Sequence, residues 1–190
     1  VFENKINAIF NLKMNIEGSI SYKILPTPRF EVKNVNLNLI DSDKKKIRIK
    51  KLYILISSLS LDNFESIKPK KILVKKEQLE IHPTNFKKYF KYLTLKKENT
   101  LVIKNSILFF IDDQGNKVIF NNTDYKEKFS ENRHQVESTF TFAQNQINFK
   151  FLNRFGSEKY LKISIPKLKQ SLDITFDKES NLDLLSGEIK

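Results

Sequence analysis

The sequence has no cysteine and no tryptophan, one methionine, two histidines, four glycines and five prolines in 190 residues. Without cysteine there is neither a disulfide framework nor thiolate chemistry. His82 and His134 lie far apart, and a zinc site needs three or four nitrogen or sulfur ligands, so no metal is expected. The few glycines fit neither a Walker loop nor a dinucleotide fingerprint, so no cofactor is expected. No run approaches the ~20 apolar residues of a membrane helix. The chain opens at Val1 without a signal-peptide pattern and stops at Lys190. It is expected to be a piece of a longer protein.

Charge is what the chain has in excess. Its formal net charge is +12, from 34 basic and 22 acidic residues. Only Arg29, Arg48, Arg133 and Arg154 are arginine, leaving 30 lysines. Lys, Asn, Ile and Phe share A/T-rich codons, so genome composition is one source of this charge. An anionic partner, nucleic acid or a membrane surface, is the other. A single-strand binder would set exposed aromatics among basic residues on one sheet face. Here the phenylalanines alternate with polar residues, which places them on the apolar side. Arginine, the better reader of bases and phosphates, is scarce. Nucleic acid is therefore not expected as a partner.

Period-two alternation runs from end to end and predicts many short strands. Ile20, Tyr22 and Ile24 alternate, as do Phe30 and Val32. After Lys33-Asn34 the phase slips to Val35, Leu37 and Leu39, and a slip of one residue within a strand predicts a bulge or bend. Ile47 and Ile49 continue the pattern, and a second slip leads to Leu52, Ile54 and Ile56. Ile72 and Val74, then Leu79 and Ile81, form a further strand or pair. Leu101-Ile103, Ile107-Phe109-Ile111 and Val118-Phe120 follow. Phe140-Phe142, Ile147-Phe149-Phe151, Leu161-Ile163-Ile165 and Leu172-Ile174-Phe176 complete the series. The intervening positions are mostly Lys, Asn, Ser, Thr or Glu. One apolar and one wet face predict a mainly β, antiparallel sheet built as a meander. Turns are expected at Asp113 to Asn116, at Asn145-Gln146, and over Asn153 to Ser157. Lys44 to Lys46 and Lys68 to Lys71 read as loops or solvated edges.

Two or three short helices are expected, over 1–11, 58–65 and 83–93. In the last, Phe86, Tyr89, Phe90 and Leu93 fall on one face, with Lys87, Lys88 and Lys91 opposite. It reads as a helix capping the open end of a sheet; the alternative is a helix lying on a membrane surface. Lys96-Lys97-Glu98-Asn99 is the best boundary, dividing the chain into 1–96 and 97–190.

Catalytic patterns are scarce. Asp112-Asp113 adjoins a turn, and neighbouring strand residues face opposite ways, so the pair reads as turn chemistry. Asp41 and Asp43 lack the rest of a calcium loop. His134 sits in the polar stretch Glu131 to His134 and reads as a surface residue, and His82 ends a strand. Asn121-Asn122-Thr123 matches a glycosylation sequon, a pattern short enough to arise by chance. No enzyme is expected.

The run Glu17 to Val35, with Gly18 leading a strand, Pro26 and Pro28 framing a turn and the Asn34-Val35 step, resembles the opening of AsmA-family proteins. Ile47 to Ile56, Leu59 and Leu61, then Ile67 to Ile81, fit the elements that follow. The resemblance covers residues 1–82 and is architectural beyond residue 100. It implies a non-enzymatic, bridge-like lipid carrier whose strongly bent sheets form a groove with an apolar floor. It implies phospholipid acyl chains as cargo and a role in outer-membrane biogenesis. The implied setting is the bacterial periplasm, with an inner-membrane anchor that is not in this chain. The floor would be Phe140, Phe142, Ile147, Phe149, Phe151, Ile163, Ile165, Ile174 and Phe176, which alternation expects on one face of one curved sheet. The alternative is a structural or protein-interaction β-sandwich, such as an assembly factor, in which the same face closes into an ordinary core.

Overall fold

Residues that alternate apolar and polar satisfy their backbone groups by pairing with neighbours and bury one face. The structure, a computed structural model, describes Asn4 and residues 13–38, 47–57, 69–82, 99–154, 159–176 and 186–189. Its strands are β1 (Lys13–Ile16), β2 (Ile20–Lys23), β3 (Arg29–Asn38), β4 (Ile47–Ile56), β5 (Pro69–Lys75), β6 (Gln78–Ile81) and β7 (Asn99–Ile111). They continue as β8 (Lys117–Ser130), β9 (Arg133–Phe142), β10 (Asn145–Arg154), β11 (Lys159–Ile165), β12 (Gln170–Phe176) and β13 (Ser186–Ile189). All belong to one sheet, in the order β1-β3-β4-β5-β7-β8-β9-β10-β11-β12-β13, with β2 also on β3 and β6 also on β7. Mainly β architecture is therefore established. Among the described residues the one helical element with defined bounds is a 3-10 turn, Pro166–Leu168. The helices expected over 58–65 and 83–93, with Phe86, Tyr89, Phe90 and Leu93, lie outside the described residues, as does 1–11 apart from Asn4.

The sheet is mixed, which corrects the antiparallel expectation. β5 and β6 both run parallel to β7, pairing Ile72 with Leu101 and Gln78 with Ile107. The two pairings share one register, so β5 and β6 form a single interrupted strand alongside β7. Parallel neighbours need a crossover of a dozen or more residues, and the stretch 82–98 between β6 and β7 is long enough. Lys70 and Lys71, expected in a loop or edge, belong to β5, which lies between β4 and β7.

A crease crosses this half of the sheet. Asn34, Lys76, Asn105 and Asn122 have φ of 49°, 55°, 47° and 49°. Three of the four are asparagine, which tolerates the left-handed region better than most residues. On β3, the pairs Lys33–Lys51 and Val35–Ile49 bracket Asn34. On β7 and β8 the register shifts between Ile103 and Ser106, and between Asn121 and Asp124. Gly18 stands where β1 gives way to β2, and a Cβ there would meet the Lys33 carbonyl oxygen at 2.5 Å. The slip read at Lys33-Asn34 is thus one point on a line of left-handed residues across the sheet.

The crease frees backbone donors, and a buried carboxylate takes them. Lys50 N and Lys51 N donate to the Glu77 carboxylate at 3.3 and 2.9 Å. Glu77 N in turn donates to Ser106 Oγ, which donates to the Lys104 carbonyl. Glu77 and Ser106 are both buried. One apolar cluster spans both sides of the crease, joining Met14, Val35 and Ile49 with Val32, Leu52, Ile54 and Ile72. The face that carries this cluster is called face A, and the opposite one face B.

Candidate functional site

Register carries face A from the creased half into β8 to β12. Leu108 of β7 pairs with Phe120 of β8, and the Phe120 ring lies 4.6 Å from Phe140 and 5.5 Å from Phe142 of β9. Phe140 pairs with Ile147, and Phe149 with Ser138 and Ile163. Phe151 pairs with Leu161, which pairs with Ile174, while Ile165 pairs with Gln170 and Lys159 with Phe176. Since paired residues share a face, Phe140, Phe142, Ile147, Phe149, Phe151, Ile163, Ile165 and Ile174 all lie on face A, while the side chain of Phe176 lies outside the described residues. Val136, Leu161 and Leu172 join them. The same alternation marked Leu161 and Leu172, which were left out of the expected floor, but not Val136.

This part of face A is an apolar band with polar ends. Asn145 and Gln170 stand at one end of the strands, and Asn153 and Lys159 at the other. Between them Ile147, Phe149, Phe151, Leu161, Ile163, Leu172 and Ile174 are half-buried, and Phe142 is 41% exposed. Face B of the same strands carries Gln146, Asn148, Lys150, Lys162, Ser171 and Asp173. There Lys162 Nζ and Asp173 pair at 3.1 Å, and Tyr160 Oη donates to the same carboxylate. The Tyr160 and Lys162 donors hold the Asp173 carboxyl below the usual carboxylate range.

Three local expectations are corrected. His134 is not a surface residue. It is 2% exposed on face A, stacked on Phe129 with ring centroids 4.0 Å apart, and its Nε2 lies 3.0 Å from Glu127 Oε1. Glu127 is equally buried and accepts from Tyr125 Oη. The polar run around His134 hid this because a β8–β9 turn, Glu131-Asn132, directly precedes the buried strand. Second, the hairpin turn placed at Asn145-Gln146 falls on Ala143-Gln144, both with positive φ, the backbone of a two-residue hairpin loop. Third, Ile107, Phe109 and Ile111 do not share a face with Leu101 and Ile103. The bulge at Asn105 puts Leu108 and Phe110 on face A instead.

The remaining sequence candidates have structural partners. Asp112 accepts from Gln114 N and Asn116 N at 2.9 and 2.8 Å, closing the β7–β8 turn. These bonds, that of the Asn116 side chain foremost, depress its pKa. His82 Nδ1 lies 3.1 Å from the Ile111 carbonyl. Among the described residues no group of three or more His, Asp or Glu is placed to hold a metal ion. No helix among them is long and apolar enough to cross a membrane. In comparisons with known proteins the chain matches no family model, no curated protein and no solved structure.

Proposed function

We propose that this chain handles lipid without catalysis, holding acyl chains against face A of β9 to β12. The observation that carries the reading is the largely half-buried apolar band across these four strands, bordered by polar residues at both strand ends. At about 4.8 Å between strands the floor is about 15 Å wide. An acyl chain leaving a bilayer exposes about 0.8 kcal/mol per CH₂ to water, on the order of 20 kcal/mol for two ordinary chains. A broad apolar floor removes much of that cost without a tight site that would trap the lipid. Headgroups remain in water beside Asn145, Asn153 and Lys159.

The AsmA-like features of residues 17–35 and 47–81 support the same reading and its setting. In this proposal the full-length protein is anchored in the inner membrane by a segment outside this sequence, works in the bacterial periplasm and supports outer-membrane biogenesis. The test is Phe149→Asp, which places a carboxylate where chains must pass; a buried unpaired charge is costly and draws in water. Lipid crosslinking in cells, with abundance and thermal stability matched, is expected to fall sharply. Unchanged crosslinking in a folded variant overturns the proposal. That result would favour the second reading, an interaction domain with a closed core, which rests on the full burial of Val32, Leu52 and Ile54.

A further inference from the structure

Face B of the creased half carries a row of lysines. Lys33 on β3 pairs with Lys51 on β4, and Lys75 on β5 pairs with Lys104 on β7. The two pairs are joined at Leu52–Val74, since Lys51 and Lys75 each lie one residue beyond that pair. Four adjacent strands thus present lysine side by side, over about 15 Å. Lys71 and Lys126 flank the row on the same face. Like charges directly opposite each other destabilise a sheet, so folding alone does not account for this arrangement. Burial, then Lys104, Lys126 and Lys75, lower the pKa of Lys71. Among the nearby carboxylates, Glu137 stands opposite Lys126. Glu31 pairs with Lys51 at 3.0 Å, and Asp124 accepts from Asn105 N. Among the described residues Lys33, Lys75 and Lys104 form no ion pair.

The apolar cluster joins both sides of the crease on face A; on face B Lys33, Lys75 and Lys104 are exposed, while Val102 beside them is buried. At the end of β3 beyond this row, the β2–β3 loop exposes Ile24 and Leu25, 60% and 80% accessible, between Lys23 and Arg29. We infer that the lysine row on face B and the Ile24–Leu25 tip together dock this protein on an anionic bilayer surface. Lysine gives charge attraction without the bidentate geometry that reads phosphodiesters. The aromatic beside the row, Tyr53, is half-buried with Lys51 Nζ 5.8 Å from its ring centroid, a poor platform for stacking bases, and an apolar tip beside basic residues has a use in a bilayer interface and none on a polynucleotide. The inference concerns the face opposite the acyl-chain floor and stands whether or not that floor carries lipid.

The test is flotation of the whole chain with vesicles of phosphatidylcholine alone, or with about one-third phosphatidylglycerol. Binding is expected only to the anionic vesicles, and is expected to fall steeply with salt. Each lysine near such a surface contributes about fivefold. Lys33→Gln, Lys75→Gln and Lys104→Gln combined should therefore weaken binding about 100-fold. Their melting temperature should match or exceed the parent's, because like charges have been separated. Lys117→Gln, Lys167→Gln and Lys169→Gln remove the same charge elsewhere and should cost far less. Ile24→Ser with Leu25→Ser should cost at least tenfold. Flotation of the lysine variants reads face B and lipid crosslinking at the floor reads face A, so failure of one is distinguishable from failure of the other. Equal losses in the two lysine triples, equal binding to neutral vesicles, or row-dependent binding to DNA with none to vesicles would each overturn the inference.

Discussion

Ile54 and Phe149 lie on the same face of the same sheet, yet Ile54 is fully buried and Phe149 only half-buried. Around Ile54 the sheet is creased, and one apolar cluster closes across the crease. Around Phe149 the strands are regular, with unbroken register from β9 through β12. The two halves share one alternation. Left-handed residues at Asn34, Lys76, Asn105 and Asn122, two of them with register shifts, mark the half that closes into a core; β9 to β12 have none within the strands. The contrast shows how little sequence is needed to change what a β face does. A few left-handed residues and one buried carboxylate separate the two outcomes.

The largest expected effect breaks the closed half. Leu52→Ala and Ile54→Ala should each cost about 2–5 kcal/mol in urea unfolding, because nothing is free to fill the space. Phe149→Ala should cost distinctly less despite its larger side chain, since water already reaches it. Equal losses at the two sites would mean that the floor is a core. Next in size is Glu77→Ala, which strands the Lys50 and Lys51 amides and should cost about 1–3 kcal/mol for each one left without a partner. Glu77→Gln keeps one acceptor oxygen and should retain part of that stability. Gly18→Ala drives a Cβ toward backbone that has little room to move, at a cost of about 1–3 kcal/mol. Gly115→Ala meets no neighbour within 4 Å and should suffer only from its φ of +88°. Chemical denaturation of the two variants side by side measures the difference.

The smallest effect is on pH dependence. Glu31, Asp112 and Asp173 all have depressed pKa values, through hydrogen bonds from Lys51, Asn116 and Tyr160 respectively. A depressed carboxyl contributes stability above its unfolded value, near pH 4, and that contribution is lost as pH falls through the lower folded value. Stability should therefore decline gradually on acidification below about pH 4. Asp173→Asn should flatten the part of that slope that belongs to the floor half. All three groups are solvent-screened, so the change is small. A thermal-melt series from pH 2 to 6 reads it directly.

Much of this contrast was written in the sequence, and its gaps have physical causes. The slip after Lys33-Asn34 was legible because Phe30-Val32 and Val35-Leu37 change phase against polar neighbours. The matching slip at Asn105 was not, because Ile107 to Ile111 is apolar on both faces and either phase reads equally well. Parallel pairing of β5 and β6 with β7 left no mark, since alternation records which way a side chain faces and not which strand lies alongside. His134 was missed because a polar neighbourhood in sequence says nothing of a buried partner seven residues away; Glu127, in phase with Tyr125 and Phe129, was the available clue. The shared face of Phe140, Ile147, Phe149, Phe151, Ile163 and Ile174 was legible because β9 to β12 contain no bulge, so period two holds without interruption.

The central claim is that face A of β9 to β12, and not face B, meets acyl chains. A photoreactive side chain introduced singly at Ile147, Phe149, Phe151 and Ile163, and at Gln146, Asn148, Lys150 and Lys162, tests it in cells at equal protein abundance. The account predicts lipid adducts at the first four positions and none at the second four, an on–off alternation along β10 with period two. Adducts at both sets alike, or at neither, would contradict it.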